Sequence, residues 1–154
     1  MFDVVTKSSC RRRGRSAEWI VDRDRLVSAE LRYPRGVREQ RLAAMAFVDL
    51  HRAYVAKAER KGRSRVEVDQ ILLWVTGWSP SELTWHLADG TTLGTFITDA
   101  PKPNPDRDLV TGTVCGVRVE SVTDPFMREV RIIDKLIDEL ARGKAMDRIL
   151  RARR

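Results

Sequence analysis

Residues 64–90 read SRVEVDQILLWVTGWSPSELTWHLADG and contain the sharpest helix signals of the chain. The segments Ser64–Glu67 and Ser79–Glu82 both have the Ser-x-x-Glu spacing of a capping box. In such a box the serine hydroxyl accepts from the backbone N–H of the glutamate, whose side chain reaches back to the serine N–H. Pro80 stands at the first position of the second helix, where its missing N–H costs nothing. The stretch therefore predicts two successive helices that are separated at Gly77.

Further helices are predicted on both sides of this stretch. Upstream, from about Val37, the chain enters a helical pattern that ends at Gly62 and has on its apolar face Phe47, Leu50, Tyr54, Val55 and Ala58. Downstream, Thr92 begins a short helix, and Asp124 begins a long one whose apolar stripe contains Phe126, Val130, Ile133, Leu136, Ile137 and Leu140. A short helix around Met146 follows. The sequence thus predicts a mainly α fold, a single small domain of about five or six helices.

The segment between the predicted short and long helices is ambiguous. Prolines at alternate positions of residues 101–105 exclude a helix there, because proline fixes φ and pushes the preceding residue towards extended geometry. Residues 109–122 fit both a strand and a helix, and Gly112 and Gly116 favour a short extended segment near residues 113–122. A strand there needs a partner for its edges, either the N-terminal segment or a second protomer.

The positive charge of the chain is concentrated near its N-terminal end. The formal net charge is +7, and residues 1–44 contain 11 Lys and Arg against 6 Asp and Glu, whereas the rest contains 18 against 16. We therefore expect a basic, mobile N-terminal extension, residues 1–36, with a short helix or strand around Trp19–Leu31. Residues 37–154 form the predicted helical domain. The arginines of the extension make non-specific nucleic acid a candidate partner.

Composition also excludes several classes of protein. No apolar run approaches the roughly 18 residues that a membrane-spanning helix needs. The first residues contain no apolar signal core, so we expect a cytoplasmic protein without a membrane partner. Cys10 and Cys115 are too few for a disulfide framework, and with only His51 and His86 beside them no metal-ligand spacing exists. We expect no metal and no cofactor; the small-molecule ligand and the oligomeric state stay open, a homo-oligomer included.

Three groups of residues are candidates for binding or catalysis. Cys115 is a candidate nucleophile that a nearby cation such as Arg118 would activate; the alternative is a small buried apolar residue. Arginine and lysine side chains offer donors to phosphate or carboxylate, so the anion-binding candidates are Lys57, Arg60, Arg63, Arg107 and Arg118. The alternative for these basic residues is that they belong to solvent-exposed faces, where runs of charged residues are common. Trp74 and Trp78 form a candidate aromatic platform for a ligand ring, or else they pack in the core.

A series of short sequence blocks covers about three quarters of the chain. The blocks are Tyr54–Arg63, Glu67–Asp69, Trp74–Trp78, Ala100-Pro101 with Asn104-Pro105 and Arg107, Val114–Glu120, Ile133–Leu140 and Gly143–Met146. In this order they resemble an uncharacterised bacterial family, domain of unknown function 2200, over about residues 37–151. The chain departs from the family at Leu50–Arg52, where members usually read Val-Tyr-Pro. The resemblance implies no activity, because the family has none assigned.

Three functions from different classes are compatible with these observations. The favoured one is a non-enzymatic helical binding or assembly module of the cytoplasm. The first alternative is a nucleic-acid-associated basic protein that binds through the Arg-rich extension. The second alternative is a small enzyme or anion-binding protein that uses Cys115, Arg107 and Arg118. An enzyme of this kind would lose a defined turnover on the substitution Cys115→Ser.

Overall fold

The chain is mainly α-helical, as its sequence predicts. The computed structural model describes residues 10–13, 18–21 and 36–153. In these ranges seven α-helices occur: α1 (Gly36–Ala43), α2 (Phe47–Glu59), α3 (Arg65–Thr76), α4 (Pro80–Ala88), α5 (Leu93–Thr98), α6 (Pro125–Ala141) and α7 (Met146–Ile149). The strands are short: β1 (Cys10–Arg13), β2 (Glu18–Val21), β3 (Thr113–Val114) and β4 (Val117–Arg118). None of the helices in the described ranges is long and apolar enough to span a membrane.

The two N-terminal strands form a hairpin. Contacts divide the chain into two units, Met1–Arg38 and Glu39–Arg154. In the first unit β1 pairs antiparallel with β2, with Arg12 opposite Trp19. Strand β2 falls at the beginning of the helix or strand predicted around Trp19–Leu31, whereas β1 was not predicted. The rest of that segment, and with it most of the extension predicted to be mobile, lies outside the described residues.

Both predicted capping boxes are present at the starts of α3 and α4. Ser64 Oγ accepts from the backbone N–H of Glu67 at 3.4 Å, and the Ser64 N–H donates to the glutamate carboxylate at 2.8 Å. Ser79 and Glu82 form the same two hydrogen bonds at 3.3 and 2.7 Å. The left-handed backbone of Gly77, with φ of 75°, ends α3 as predicted. The serine and glutamate spacing therefore places both helix starts correctly.

The helical pattern predicted upstream of the first capping box contains a break at residues 44–46. The backbone N–H of Phe47 donates to the carbonyl of Thr91 at 2.8 Å, and that of Leu93 donates to the carbonyl of Met45 at 2.8 Å. Hydrogen bonds to the segment before α5 thus satisfy backbone groups that a continuous helix would have paired internally. The break divides the predicted helix into α1 and α2, which is why the described residues contain seven helices rather than five or six.

The ambiguous segment is extended at residues 113–118, where β3 pairs antiparallel with β4. Cys115 and Gly116 form the two-residue loop between the strands, with φ values of 49° and 75°. Positive φ at both loop positions is the backbone of a type I′ turn, which reverses the chain at once. The segment therefore supplies a partner for itself, which the sequence did not predict; pairing of the outer edges with the N-terminal segment or a second protomer stays a prediction. A single 3₁₀ turn, Val119–Ser121, follows β4.

Helix α6 lies at the centre of the hydrophobic core. Its buried residues are Val130, Ile132, Ile133, Leu136, Ile137 and Leu140. Helices α2, α3 and α5 pack on it, and the ring of Phe47 in α2 stacks on that of Phe96 in α5 with centroids 3.7 Å apart. The proline-rich segment after α5 is a loop, as predicted, and it ends in a 3₁₀ turn, Pro105–Leu109.

Candidate functional site

A cavity of about 390 Å³ opens between the end of α3, α5 with the loop that follows it, and the start of α6. We call this cavity the α3–α6 groove. Most of its lining is apolar and comes from Val75, Ile97, Ala100, Pro103, Phe126 and Ile133. Ligand pockets in proteins have volumes of about 300–1,000 Å³ and are lined predominantly by apolar side chains. The groove is therefore large enough for a small ligand group.

The proline-rich loop forms one wall of the groove because its backbone is bonded to the end of α3. The N–H of Lys102 donates to the carbonyl of Thr76 at 3.4 Å, and that of Asn104 donates to the carbonyl of Val75 at 3.1 Å. The last carbonyls of a helix have no partner within it, so the loop satisfies two of them. Prolines keep the loop extended, which leaves these N–H groups available.

The threonine hydroxyls of the groove are already used within their own helices. Thr76 Oγ1 donates to the carbonyl of Leu72 at 2.8 Å, and Thr98 Oγ1 donates to that of Gly94 at 2.9 Å. A hydroxyl has one hydrogen to donate, so these donors are occupied. The polar chemistry left in the groove belongs to two carboxylates.

Asp124 and Glu129, which line the groove at the start of α6, are each held by one hydrogen bond. Asp124 Oδ1 accepts from the backbone N–H of Met127 at 2.8 Å and caps the helix, as predicted. Glu129 Oε1 accepts from Arg107 Nε at 2.8 Å, and Arg107 Nη1 donates to the carbonyl of Asn104 at 2.8 Å. The other oxygen of each carboxylate has no hydrogen-bond partner among the residues that the structure describes.

Arg107 is the one predicted anion-binding residue that the structure places beside the groove. Its side chain is 23% exposed and is paired with Glu129, which is equally exposed. The guanidinium joins the 3₁₀ turn after the proline-rich loop to α6. In this position Arg107 neutralises part of the negative charge at the groove and orients a carboxylate there.

Cys115 and Arg118 lie on the β3–β4 hairpin, and no hydrogen bond or ion pair among the described residues joins either of them to Arg107. Cys115 is an exposed free thiol at the tip. Arg118 donates to Glu120 at 2.8 Å from a side chain that is 70% exposed. The backbone N–H of Glu120 itself, that of Gly112 and the Arg118 guanidinium lower the pKa of the Glu120 carboxyl to about 2. Arg118 thus stabilises the charge of a carboxylate in the 3₁₀ turn that follows its own strand.

The remaining anion-binding candidates lie around the ends of α2 and α3. Lys57 is paired with Asp138 of α6 at 3.1 Å, and Arg63 is paired with Glu67 at 2.6 Å. Arg60 is exposed at the C-terminal end of α2, where a positive charge is favourable. The carboxylate partners compensate the charges of Lys57 and Arg63 locally.

The two tryptophans proposed as a ligand platform are both partly buried against the core. Trp78 Nε1 donates to the carbonyl of Phe96 at 3.0 Å, and its ring lies edge-on to that of His86 with centroids 4.5 Å apart. Trp74 packs against the core from the last turn of α3. Trp78 is therefore an anchor between the end of α3 and α5.

Sequence reasoning missed Glu129 as a groove residue, although one signal was present. Glu129 lies three residues after Phe126 and four before Ile133, so an acidic residue stands on the apolar stripe of α6. Sequence reasoning also missed the pair between buried His51 and Asp69, whose Nε2 and Oδ1 atoms are 2.6 Å apart. No spacing rule links two residues on separate helices in this way.

In the part of the chain that the structure describes, no group of three or more His, Cys, Asp or Glu side chains is arranged to hold a metal ion. The fold and the groove define a small, mainly α domain with an apolar cavity. The family model described as "Uncharacterized protein conserved in bacteria (DUF2200)" matches residues 41–151. The chain belongs to this family, which confirms the resemblance found in its sequence.

A solved structure of known title is similar to most of this chain. It is titled "Crystal structure of uncharacterized protein SP1917" and is 41% identical in sequence, with a TM-score of 0.69. The match covers 72% of this chain and 91% of that chain. A search of the curated proteins finds none that matches.

Proposed function

We propose that the protein is a non-enzymatic binding or assembly module of the cytoplasm and that the α3–α6 groove is its binding element. The observation that carries this proposal is the cavity of about 390 Å³ with a mainly apolar lining. Apolar surface that leaves water on binding supplies a driving force roughly proportional to its area. A groove of this size accepts one ring or one branched aliphatic group.

The expected affinity for a small apolar probe is low. A buried ring of about 150 Å² contributes roughly 4 kcal/mol at about 25 cal/mol per Å². Most of that free energy offsets the translational and rotational freedom lost on association. Amide chemical shifts in solution detect such weak binding and report where the probe lies.

Titration of the isotope-labelled full chain with phenethyl alcohol tests the proposal. We expect amide shifts at groove residues such as Thr76 and Phe126. The variant Ala100→Leu fills the groove and should abolish these shifts, whereas Ala53→Leu makes the same change at an exposed position of α2 and should leave them intact. The proposal would be overturned if the groove amides of the wild type did not shift, or if their shifts persisted in Ala100→Leu.

Assembly through the groove is the other form of the proposal, with a second copy as the occupant. Light scattering after size exclusion measures the oligomeric state of wild type and Ala100→Leu. An oligomer that Ala100→Leu dissociates supports assembly through the groove.

The placement in the cytoplasm is supported by the exposed free thiol of Cys115, because thiols stay reduced in that compartment.

We also propose, as a second candidate, that the extension binds nucleic acid without sequence preference. Residues 1–36 contain 9 Lys and Arg against 5 Asp and Glu, and three consecutive arginines belong to strand β1. Arginine neutralises phosphates and releases counterions, so affinity should fall linearly with salt on logarithmic scales. Fluorescence anisotropy with a labelled duplex measures this slope. Binding that survives removal of residues 1–35 would contradict the extension as the site.

A further inference from the structure

We infer that the ligand of the α3–α6 groove is a small organic cation, a primary ammonium on an apolar body. This inference rests on the proposed function, because it names the chemistry of the group that enters the same groove.

The groove offers hydrogen-bond acceptors and no free side-chain donor among its described polar residues. Asp124 and Glu129 each keep one carboxylate oxygen without a hydrogen-bond partner in the described chain. The hydroxyls of Thr76 and Thr98 donate to carbonyls of their own helices. An ammonium has three donors and no acceptor, so it suits a groove whose free side-chain groups are carboxylate oxygens. A carboxylate ligand would meet these oxygens with a charge of the same sign.

The two carboxylates are held in place before any ligand arrives. Asp124 caps α6 and Glu129 lies in its second turn, and buried residues such as Val130 and Ile133 fix this helix in the core. The N–H of Met127 holds Asp124, and the guanidinium of Arg107 holds Glu129. Acceptors that are already oriented lose little conformational freedom on binding, which improves affinity and selectivity.

The charge at the mouth of the groove favours a cation. Asp124 and Glu129 carry two negative charges, and Arg107 compensates one of them, donating from Nε to Glu129 and from Nη1 to the carbonyl of Asn104. The N-terminal end of α6 is positive, but Asp124 caps it and meets that charge directly. Phe126 adds an aromatic ring to the lining, and aromatic rings attract cations.

Three probes with the same ring and different charge test the inference on the full chain. They are phenethylamine, phenethyl alcohol and phenylacetate, titrated at neutral pH while amide shifts are recorded. We expect the amine to bind about tenfold more tightly than the alcohol, as charge-assisted hydrogen bonds require, and phenylacetate to bind more weakly than both. Added salt should reduce the preference for the amine.

Two isosteric variants and one control assign the preference to the groove carboxylates. Asp124→Asn keeps a good helix cap, and Glu129→Gln keeps an acceptor for Arg107, so both should fold. Each should reduce the preference for the amine several-fold and leave the affinity for the alcohol unchanged. Asp147→Asn removes the same charge at an exposed position of α7 and should change neither affinity.

The outcomes separate this inference from the proposed function. The inference of a cationic ligand would be overturned if the amine and the alcohol bound the groove equally, or if both groove variants retained the preference for the amine. Either result would leave the apolar groove as a binding element. Failure of all three probes to shift groove amides would overturn both proposals.

Discussion

Gly77 is the residue at which the fold leaves no room for a side chain. It ends α3 with a left-handed backbone, φ of 75°, and a Cβ placed on it would lie 2.3 Å from the carbonyl oxygen of Lys102. Gly62 has nearly the same φ, 72°, but no atom lies within 4 Å of its Cβ position. The two glycines therefore separate the cost of a left-handed backbone from the cost of a close contact.

Substitution of these glycines by alanine should destabilise the protein unequally. Gly62→Ala should cost about 1 kcal/mol, the penalty for an ordinary residue in the left-handed region. Gly77→Ala should cost at least about 3 kcal/mol, because the loop that forms the groove wall must move as well. Urea denaturation measures both free energies of unfolding. Equal costs would mean that the loop around Lys102 shifts freely and that the groove wall is not fixed.

Tyr54 links α2 to α6 by donating to Asp134 at 2.7 Å. Burial of the phenol raises its pKa well above the usual value of 10.0, and the charge of Asp134 raises it further. Because the folded chain holds this proton more tightly than the unfolded chain, the stability it contributes is present below about pH 10 and is lost as pH rises above it.

The variant Tyr54→Phe should therefore change the pH dependence of stability as well as its size. At neutral pH it should lower the free energy of unfolding by about 1 kcal/mol, because Asp134 keeps Arg131 as a partner. Above about pH 10 the wild type should lose stability more steeply than the variant. Urea midpoints across this pH range measure the difference. Parallel pH profiles for the two proteins would contradict the link between this proton and folding.

At the scale of the elements, local signals predict helices and fail for contacts between them. The capping boxes place the starts of α3 and α4 because a serine and a glutamate three residues apart satisfy each other locally. The break between α1 and α2 was not predictable, since Phe47 N–H is satisfied by Thr91, which is 44 residues away in sequence. A tertiary partner outweighed the local helical pattern there.

In the candidate site, too, local features were predictable from the sequence and contacts between elements were not. Asp124 was predicted as a helix cap, and Arg107 was singled out for its charge, but the cavity that Asp124 lines exists only once α3, α5 and α6 have packed. Arg107 and Glu129 are 22 residues apart, and no spacing rule connects a 3₁₀ turn with a helix at that distance. The role of Arg107 as the partner of a groove carboxylate was therefore not accessible from its sequence position.

Removal of either capping serine should weaken the helix that it begins. Ser64→Ala and Ser79→Ala should each cost about 1 kcal/mol of folding free energy, because a backbone N–H loses its acceptor. Thr111→Ala, which removes an exposed hydroxyl without a hydrogen-bond partner among the described residues, is the control and should cost less than about 0.5 kcal/mol. Thermal and urea unfolding of the three variants provide the comparison. A control as costly as the caps would show that serine contributes here by another mechanism.

At the scale of the whole molecule, the hydrophobic core belongs to the helical domain. Within residues 36–153, every buried apolar residue lies between Phe47 and Ile149. The family match spans residues 41–151, and the similar crystal structure is covered over 91% of its length by 72% of this chain. The range of the family match indicates that the fold is specified by the part of the chain that begins near α1.

A shortened chain of residues 36–154 should therefore keep its helices and unfold cooperatively, with an unfolding free energy close to that of the full chain. It should also bind the apolar probe in the α3–α6 groove. Circular dichroism and urea denaturation measure the fold, and amide shifts measure the groove. A shortened chain with low helicity or a broad transition would mean that the core depends on residues before α1.

Removal of residues 145–154 is the opposite truncation, and we expect it to be costly. This segment contains Ile149, which is 0% exposed, and Arg151, whose guanidinium lies 2.7 Å from Glu139 of α6. The loss of a buried isoleucine leaves a cavity that lowers the free energy of unfolding by at least about 2 kcal/mol. In addition, Glu139 would keep only Lys144 as an ionic partner. Because α7 closes the core over α6, the C-terminal truncation should lower the unfolding free energy far more than removal of residues 1–35. A similar loss from both truncations would contradict a core confined to the helical domain.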